Sequence, residues 1–265
     1  MSSDVARGII EPTWNAPARV RAVCTTRQGG VSEGPYASLN LAEHVGDDAA
    51  HVAANRALLR TALGLPSEPL WLSQVHGCDV HLPDAAAPYP AQAGPCAADA
   101  AVASQPGQVC VVMTADCLPV LLCDAQGCAV AAVHAGWRGL LEGVIEAAVA
   151  HLRVRLGLAS AGPIMAWLGP AIGPDAFEVG AEVLDAFCAR DAGAAAAFRP
   201  GAGARFFADL YLLARQRLQA AGVRDISGGD YCTLSDPERF FSYRRDGRTG
   251  RMASMIWIAP LADAG

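Results

Sequence analysis

The chain has 265 residues, a formal net charge of −6 and 52% hydrophobic residues, which suffices for a substantial core. The acidic balance and the absence of a basic run exclude a typical nucleic-acid-binding surface. All twenty basic residues are arginine. The absence of lysine excludes Schiff-base and pyridoxal-phosphate enzymes and P-loops of the G-K-[ST] kind. Any anionic substrate must therefore be held by arginine, backbone amides or a metal.

The nine cysteines are odd in number and lack the spacing of a disulfide framework. Residues 1–14 do not have the charged and apolar regions of a signal peptide, and no apolar run reaches the roughly 18 residues of a membrane span. These features predict a reduced, cytoplasmic protein with no membrane partner, whose cysteines are mostly small core residues. They give no indication of the oligomeric state.

One helix in the first half has well-marked ends. Residues 49–63 are predicted to be helical, because Asp47 or Asp48 can cap the amino terminus and Gly64 can end the helix. The other elements predicted there are a strand ending near residues 20–24, a glycine-bearing loop over 25–32, irregular structure over 38–48, strands at 70–72 and 80–82, and a loop over 83–98.

The centre of the chain predicts a β-hairpin. Apolar runs at residues 109–113 with 120–123 and at residues 129–133 flank a turn signal that begins at Asp124 and ends at Gly127. Aspartate is favoured at the first position of a tight turn and glycine at the last. The predicted loop therefore has two residues, with Asp124 opposite Gly127.

This hairpin register places Cys117 directly opposite His134. Side chains opposite each other on one face are about 4.5–5.5 Å apart at Cβ, so these two could share a metal or act as nucleophile and base. Pro119 lies inside the same strand and predicts an edge position or a bulge. A slip of one residue would put the thiol and the imidazole on opposite faces.

The second half of the chain alternates helices and strands. Residues 136–156 carry apolar side chains at spacings of three and four, which predicts one helix ending at Gly157. The other predicted elements are a strand at residues 164–168, helices near 181–189 and 208–221, and a terminal hairpin of 240–243 with 251–259. The alternation and the lack of a clear linker predict a single mixed α/β domain over residues 1–265.

Three side chains could form one metal site: His76, Cys117 and His134. Each lies at or next to a predicted strand end beside a loop, where functional groups are often presented. Two imidazoles and a thiolate suit Zn²⁺ and leave a fourth position for a water, which the metal can activate. The spacings of 41 and 17 residues match no short zinc motif.

Simpler interpretations remain open for the same residues. Cys117 could be an inert buried thiol, since the chain has eight other cysteines, and His134 could be a buried, hydrogen-bonded histidine. A metal-free hydrolase would need only the Cys117–His134 pair and an oxyanion site. The other four histidines lack partners in the sequence and are interpreted as structural or surface residues: His44, His51, His81 and His151.

Eight sequence motifs carry a family resemblance. In chain order they are residues 25–36 (TTRQGGVSEGPY), 38–41 (SLNL), 44–48 (HVGDD), 55–56 (NR), 73–77 (SQVHG), 114–122 (TADCLPVLL), 132–139 (AVHAGWRG) and 239–247 (RFFSYRRDG). Together they resemble the YfiH family, which is also called the laccase-domain or polyphenol-oxidase-like family. The similarity runs from about residue 20 to residue 258, nearly the whole chain.

The resemblance implies a zinc-dependent purine nucleoside enzyme. Its implied activities are phosphorolysis of adenosine, inosine and methylthioadenosine, with adenosine deamination as a second activity. The implied zinc ligands are His76, Cys117 and His134, the last two also serving in catalysis. The implied fold is α/β, with mixed sheets flanked by helices, and is related to bacterial cysteine deamidase toxins.

The implied partners are a purine nucleoside and phosphate. By the same resemblance, Asn40 and Arg56 contact the nucleoside or the phosphate, and Arg56 is a candidate catalytic residue. Because lysine is absent, the candidate phosphate clamps are Arg27, Arg56 and Arg138. Arg138 follows His134 near the predicted amino terminus of a helix, where anions are favoured. By default, Arg56 is a solvated helix residue and Asn40 a turn residue.

Other functions stay open at this point. A copper-dependent polyphenol oxidase ranks behind the zinc enzyme, because a laccase-type copper cluster is held by more imidazoles than the six in this chain. A single His₂Cys copper site near Met113 is chemically possible, yet one such centre transfers electrons and does not by itself reduce dioxygen to water. Further alternatives are the metal-free amide hydrolase, editing of peptidoglycan precursors and a nucleoside-sensing module without turnover.

Overall fold

A computed structural model describes residues 2–83, 96–157 and 162–260 of the chain. The α-helices in these residues are α1 (Ser2–Arg7), α2 (Ala49–Leu63), α3 (Trp137–Glu142), α4 (Val144–Leu156), α5 (Ala181–Arg190), α6 (Leu210–Ala220) and α7 (Tyr243–Asp246). Two 3₁₀ helices cover Gly34–Tyr36 and Ala192–Ala197. No described helix is both long and apolar enough to cross a membrane.

The strands of the same residues form four sheets. They are β1 (Ile9–Ile10), β2 (Val20–Thr25), β3 (Leu72–Ser73), β4 (Val80–His81), β5 (Cys96–Ala97), β6 (Ala100–Ala103), β7 (Val109–Thr114), β8 (Leu118–Asp124), β9 (Val130–Ala135), β10 (Ile164–Leu168), β11 (Glu178–Gly180), β12 (Phe198–Pro200), β13 (Arg205–Ala208), β14 (Asp225–Gly228) and β15 (Met252–Ile258). The strand orders are β1-β2-β15-β7, β14-β10-β8-β9-β6-β4, β11-β13-β12 and β3-β5.

The fold confirms the predicted α/β class with mixed sheets flanked by helices. In the six-stranded sheet, β10 with β14 and β4 with β6 are parallel pairs, and the remaining neighbours are antiparallel. The four-stranded sheet is antiparallel throughout. The predicted loop over residues 83–98 lies mostly outside the described residues, and its last part contains β5.

The two large sheets pack face to face. Because side chains alternate along a strand, Leu122 of β8 packs with Ile145 of α4, whereas Leu121 packs with Val112 of β7 in the other sheet. The far face of the four-stranded sheet packs against Leu59 of α2. The layers therefore run helix, sheet, sheet, helix, and the apolar layer between the two large sheets is called the intersheet layer below.

Helix α2 forms as predicted. The Asp48 side chain accepts a hydrogen bond from the Ala50 N–H at 2.7 Å, and Gly64 ends the helix in the left-handed conformation with φ of 56°. The predicted helix over residues 136–156 is instead two helices, α3 and α4. Gly143, with φ of 109°, interrupts the helical backbone between them.

The predicted carboxy-terminal hairpin is wrong. Tyr243–Asp246 is a short helix, α7, rather than a strand end. Strand β15 lies between β2 and β7, and all seven of its residues are buried. Its sequence is apolar except for Ser254, so it needs cover on both faces and a partner on both edges, which a two-stranded hairpin cannot provide.

The central hairpin exists, but its register differs by two residues from the prediction. Pro119, not Cys117, lies opposite His134, and the loop contains four residues, 125–128. The Asp124 carboxylate stabilises this longer loop by accepting hydrogen bonds from the backbone N–H groups of residues 126, 128 and 129, at 2.9, 2.6 and 2.7 Å. A two-residue shift keeps every side chain on its face.

Pro119 lies inside the six-stranded sheet without a bulge, contrary to the prediction. Its carbonyl accepts from the Gly169 N–H at 2.9 Å, directly beyond the end of β10. Proline has no backbone N–H to donate to the Gly169 carbonyl. That carbonyl accepts from the Tyr211 hydroxyl instead, at 3.2 Å. A tertiary hydrogen bond thus replaces the missing strand contact.

Substitution of Asp124 by alanine tests the loop. Asp124→Ala leaves three backbone N–H groups without their acceptor, and the expected loss is about 2 kcal/mol of unfolding free energy. Asp124→Asn, which keeps one acceptor oxygen, is expected to lose less. Urea denaturation of both variants measures this, and an unchanged midpoint for Asp124→Ala would contradict the role of the carboxylate.

Candidate metal centre

His76, Cys117 and His134 come together in space. Their possible ligand atoms all lie within 4.8 Å of one another. The Cys117 Sγ is 3.8 Å from the Nε2 of His76, and the two imidazole rings meet edge to face with centroids 4.8 Å apart. Among the described residues, this is the one group of three His, Cys, Asp or Glu side chains close enough to share an ion.

Cys117 lies where the chain passes from one large sheet to the other. Strand β7 of the four-stranded sheet ends at Thr114, and β8 of the six-stranded sheet begins at Leu118. Asp116 makes the bend with φ of 99° and lies outside the cluster. Its carboxylate accepts from the Thr233 hydroxyl and from the backbone N–H of residue 244, both at 2.6 Å. Cys117 is therefore held at the boundary between the two sheets.

Asp99 connects the two histidines. Its buried carboxylate accepts from the Nδ1–H of His134 at 2.8 Å and from the backbone N–H groups of Val75, His76 and Gly77 at 3.2, 2.9 and 2.7 Å. These bonds hold His76 in the left-handed conformation with φ of 64°. Because Nδ1 of His134 is engaged, its Nε2 is the nitrogen available to a metal.

Sequence reasoning missed Asp99. The available signal was a carboxylate directly before a fully buried strand, β6. A carboxylate is rarely found fully buried unless it is paired. That position alone does not reveal which histidine it contacts.

The cysteine and the imidazole next to it perturb each other's ionisation. Burial by itself raises the pKa of the Cys117 thiol, but the charge of His134 and hydrogen bonds from both histidines lower it to about 6. Burial by itself lowers the pKa of His134, but the charge of Cys117 and the hydrogen bond to Asp99 raise it to about 9. The surroundings therefore favour a thiolate, the form of cysteine that binds metals.

The donor set and the space around it fit a metal ion. Imidazole nitrogen and thiolate are both ligands that Zn²⁺ takes, and three protein ligands leave a fourth position open. Gly136 makes this possible, since a Cβ there would lie 3.0 Å from the Cys117 Sγ and 3.1 Å from Cδ2 of His76. A larger residue at position 136 would enter the space between the ligands.

A cavity of about 440 Å³ opens beside the cluster. Both large sheets contribute, since Thr114 ends β7 and His134 lies in β9. The cavity lies at the end of the intersheet layer. Its lining residues are His44, Gln74, His76, Met113, Thr114, Ala115, Cys117, His134, Tyr243 and Arg251.

The three arginines predicted as phosphate clamps do not line this cavity. Arg56 donates to the Leu41 carbonyl at 3.0 Å and pairs with Glu43 at 2.9 Å. Arg27 donates to the carbonyls of residues 37 and 237. Arg138 is exposed and stacks on the neighbouring indole of residue 137. Substrate contacts by these side chains stay predictions.

Asn40 is fully buried and engaged by the protein itself. Its amide nitrogen donates to the Ala42 carbonyl at 3.0 Å and to Asp47 at 2.9 Å. Its amide oxygen accepts from the backbone N–H groups of Ala42 and Arg251 at 3.1 and 3.0 Å. Asn40 thus positions the backbone of Arg251, and a direct contact with the nucleoside stays a prediction.

Two basic residues of the cavity were missed by sequence reasoning. His44 was interpreted as structural or surface, and Arg251 was not selected, yet both line the cavity. Partial burial and the charges of Arg251 and Arg56 lower the pKa of His44, which favours its neutral form. The position of Arg251, directly before a buried strand, was the available signal.

Comparisons with known proteins show the family of the chain. A family described as multi-copper polyphenol oxidoreductase laccase matches residues 21–259. The purine nucleoside phosphorylase YfiH of Shigella flexneri is 55% identical over 94% of this chain and 98% of that protein. The chain belongs to the YfiH family. The crystal structure of Neisseria meningitidis protein NMB0706 is 48% identical, has a TM-score of 0.87 and covers 96% of this chain and 100% of its own.

Two further proteins are similar to most of the chain. A Bacillus licheniformis YfiH structure is 30% identical, with a TM-score of 0.82, and covers 91% of this chain and 93% of its own. A purine nucleoside phosphorylase of Mycobacterium tuberculosis is 42% identical over 96% of this chain and 97% of that protein. The family description and the relatives' names thus indicate different activities. The described residues offer ligands for one ion rather than for a cluster of several coppers.

Replacement of Cys117 tests whether the cluster binds a metal. Cys117→Ala is expected to lose bound metal, because two imidazoles without the thiolate hold an ion weakly. Cys128→Ala is the matched control, since Cys128 is an exposed cysteine in the hairpin loop. Elemental analysis of both purified variants measures the metal content. Wild-type metal content in Cys117→Ala would show that the ligand set is wrong.

Replacement of Asp99 tests the support of the ligands. Asp99→Ala releases the loop that carries His76 and the ring of His134, and the expected loss in metal affinity is about 10–100-fold. Asp99→Asn is expected to lose less, because one acceptor oxygen remains. Competition with a chromogenic chelator measures both affinities. An affinity within twofold of wild type for Asp99→Ala would contradict this role.

Proposed function

We propose that this YfiH-family chain is a zinc-dependent purine nucleoside phosphorylase that acts on adenosine, inosine and methylthioadenosine, with adenosine deamination as a second activity. The observation that carries the proposal is the His76–Cys117–His134 cluster in the wall of a substrate-sized cavity. The names of relatives that are 42–55% identical over nearly the whole chain support the phosphorylase activity. Zinc and deamination rest on the donor set and on the family resemblance.

The proposed reactions are substitutions at two different carbons of the substrate. In phosphorolysis, a phosphate oxygen bonds to the ribose C1′, the bond from C1′ to the purine nitrogen breaks, and the base leaves with a proton. In deamination, water adds at the purine C6 and ammonia leaves. Zinc, when bound by His76, Cys117 and His134, supplies Lewis-acid polarisation in this site.

The protein's own residues supply orientation. Asp99 holds the His134 ring through Nδ1, so the ring presents the same nitrogen to the site throughout the reaction. Gln74 is tied to Met113 by two hydrogen bonds, at 2.7 and 2.8 Å, which makes that wall of the cavity rigid. Tyr243 lines the cavity and is 60% exposed as a residue, and an accessible aromatic ring can stack on a planar base.

Incubation of adenosine with the zinc-loaded protein, with and without phosphate, tests the proposal. Adenine and ribose 1-phosphate are expected only with phosphate, whereas inosine is expected in both conditions from deamination. Chromatography separates these products. Cys117→Ala is expected to lose both activities, and Cys128→Ala is expected to retain them. If zinc-loaded protein releases no base with phosphate, the phosphorylase proposal is wrong.

The same preparation distinguishes the rival activities. A metal-free Cys117–His134 hydrolase would keep its activity after chelation and lose it on alkylation of Cys117. A copper oxidase would consume dioxygen with a phenol after copper loading, in the absence of any nucleoside. The proposed zinc enzyme is expected to lose activity on chelation and to regain it on addition of Zn²⁺.

A further inference from the structure

The four-stranded sheet contributes a second polar wall to the cavity. Thr114, the last residue of β7, and Arg251, directly before β15, both line the cavity. The two strands are hydrogen-bonded neighbours, and Thr114 pairs with Met252. Thr114 and Arg251 therefore lie at the same end of adjacent strands, in a cavity to which the other large sheet contributes His134.

The Thr114 hydroxyl is buried without a partner. The residue is 2% exposed, and its Oγ1 forms no hydrogen bond with any described residue. An unpaired buried hydroxyl destabilises a fold by about 1–3 kcal/mol. In a cavity wall, such a group is explained if it forms a hydrogen bond with a bound ligand. Thr249 has a similar hydroxyl, but it does not line the cavity.

Arg251 is held in place but keeps free donors. Its Nη1 donates to the carbonyls of Thr249 and Gly250 at 2.9 and 3.0 Å, and its backbone N–H donates to Asn40 at 3.0 Å. Among the described residues, its Nε and Nη2 have no acceptor and its charge has no carboxylate in salt-bridge contact. A fixed guanidinium with two adjacent free nitrogens matches an oxyanion.

We propose that Arg251 and Thr114 form the oxyanion subsite of this cavity. The subsite takes a tetrahedral phosphate, with two hydrogen bonds from Nε and Nη2 of Arg251 and one from the Thr114 hydroxyl. The assignment rests on the proposed phosphorolysis and identifies the residues that hold its phosphate. It replaces the expectation that Arg27, Arg56 or Arg138 provides the clamp.

The chemistry of the subsite fits two sources of the oxyanion, inorganic phosphate and the 5′-phosphate of a nucleotide. Phosphorolysis needs the inorganic ion together with an unphosphorylated nucleoside. Inorganic phosphate is therefore expected to bind in the presence of adenosine, whereas adenosine 5′-monophosphate is expected to compete with both. If the monophosphate leaves phosphate binding unchanged, the two phosphates occupy different places.

The first test compares Arg251→Gln with Arg56→Gln in the zinc-loaded protein. Arg251→Gln is expected to raise the KM for phosphate about 10–100-fold, because hydrogen bonds to a charged group are lost. The KM for adenosine is expected to change less than about threefold. Arg56→Gln is expected to change the phosphate KM less. An unchanged phosphate KM in Arg251→Gln, with a raised one in Arg56→Gln, would overturn the assignment.

Thr114→Val provides a variant that keeps the packing. In phosphate-free buffer it is expected to unfold at the wild-type temperature or higher, because the lost hydroxyl has no protein partner. Its affinity for inorganic phosphate is expected to fall about fivefold, and Thr114→Ser is expected to restore it. A lowered melting temperature with unchanged phosphate affinity would show that the hydroxyl has a structural role and would overturn the assignment.

Direct binding separates the subsite from the proposed activity. Calorimetric titration of wild type and Arg251→Gln with inorganic phosphate measures binding without turnover. Arg251→Lys, which keeps the charge, and circular dichroism of each variant are the controls for misfolding. If wild type releases no base but binds phosphate through Arg251, the phosphorylase proposal fails and the subsite stands. If base release depends on phosphate but Arg251→Gln binds it normally, the subsite fails alone.

Discussion

The buried carboxylate of Asp99 is the contact on which the site depends. Burial of a charge is unfavourable unless its oxygens are satisfied, and the four hydrogen bonds to Asp99 satisfy them. Three of these bonds fix the loop of His76, and the fourth fixes the ring of His134. The two metal-binding imidazoles are therefore positioned by one side chain, and displacement of either segment would leave part of a buried charge without a donor.

The second constraint is the crossing of the chain from one sheet to the other. Only three residues separate Thr114 at the end of β7 from Leu118 at the start of β8, so the two sheets are held close at that end. The Asp116 carboxylate stabilises the bend by accepting hydrogen bonds from the Thr233 hydroxyl and from the backbone N–H of residue 244. The cavity lies beside this crossing, so His134 of the six-stranded sheet and Arg251, directly before β15 of the four-stranded sheet, line the same cavity.

The accuracy of the sequence predictions varied with the range of the interactions involved. Helix α2 was predicted with both ends, because Asp48 and Gly64 act on the backbone of their own helix. The hairpin was predicted with a wrong loop, because the Asp124 carboxylate binds backbone groups up to five residues away and favours four loop residues over two. The terminal hairpin failed entirely, since the partners of β15 lie over 130 residues away in β7 and over 220 away in β2.

The sequence by itself determined the class of chemistry: with no lysine in the chain, an anion must be held by arginine, backbone amides or a metal, and the two-histidine, one-cysteine set suits zinc. It also determined the α/β class through its apolar periodicities. Only the tertiary structure decided which of twenty arginines enters the cavity, because Arg56 is paired with Glu43 whereas Arg251 keeps free donors. Such choices depend on which side chains are neutralised by distant partners, and local sequence does not encode them.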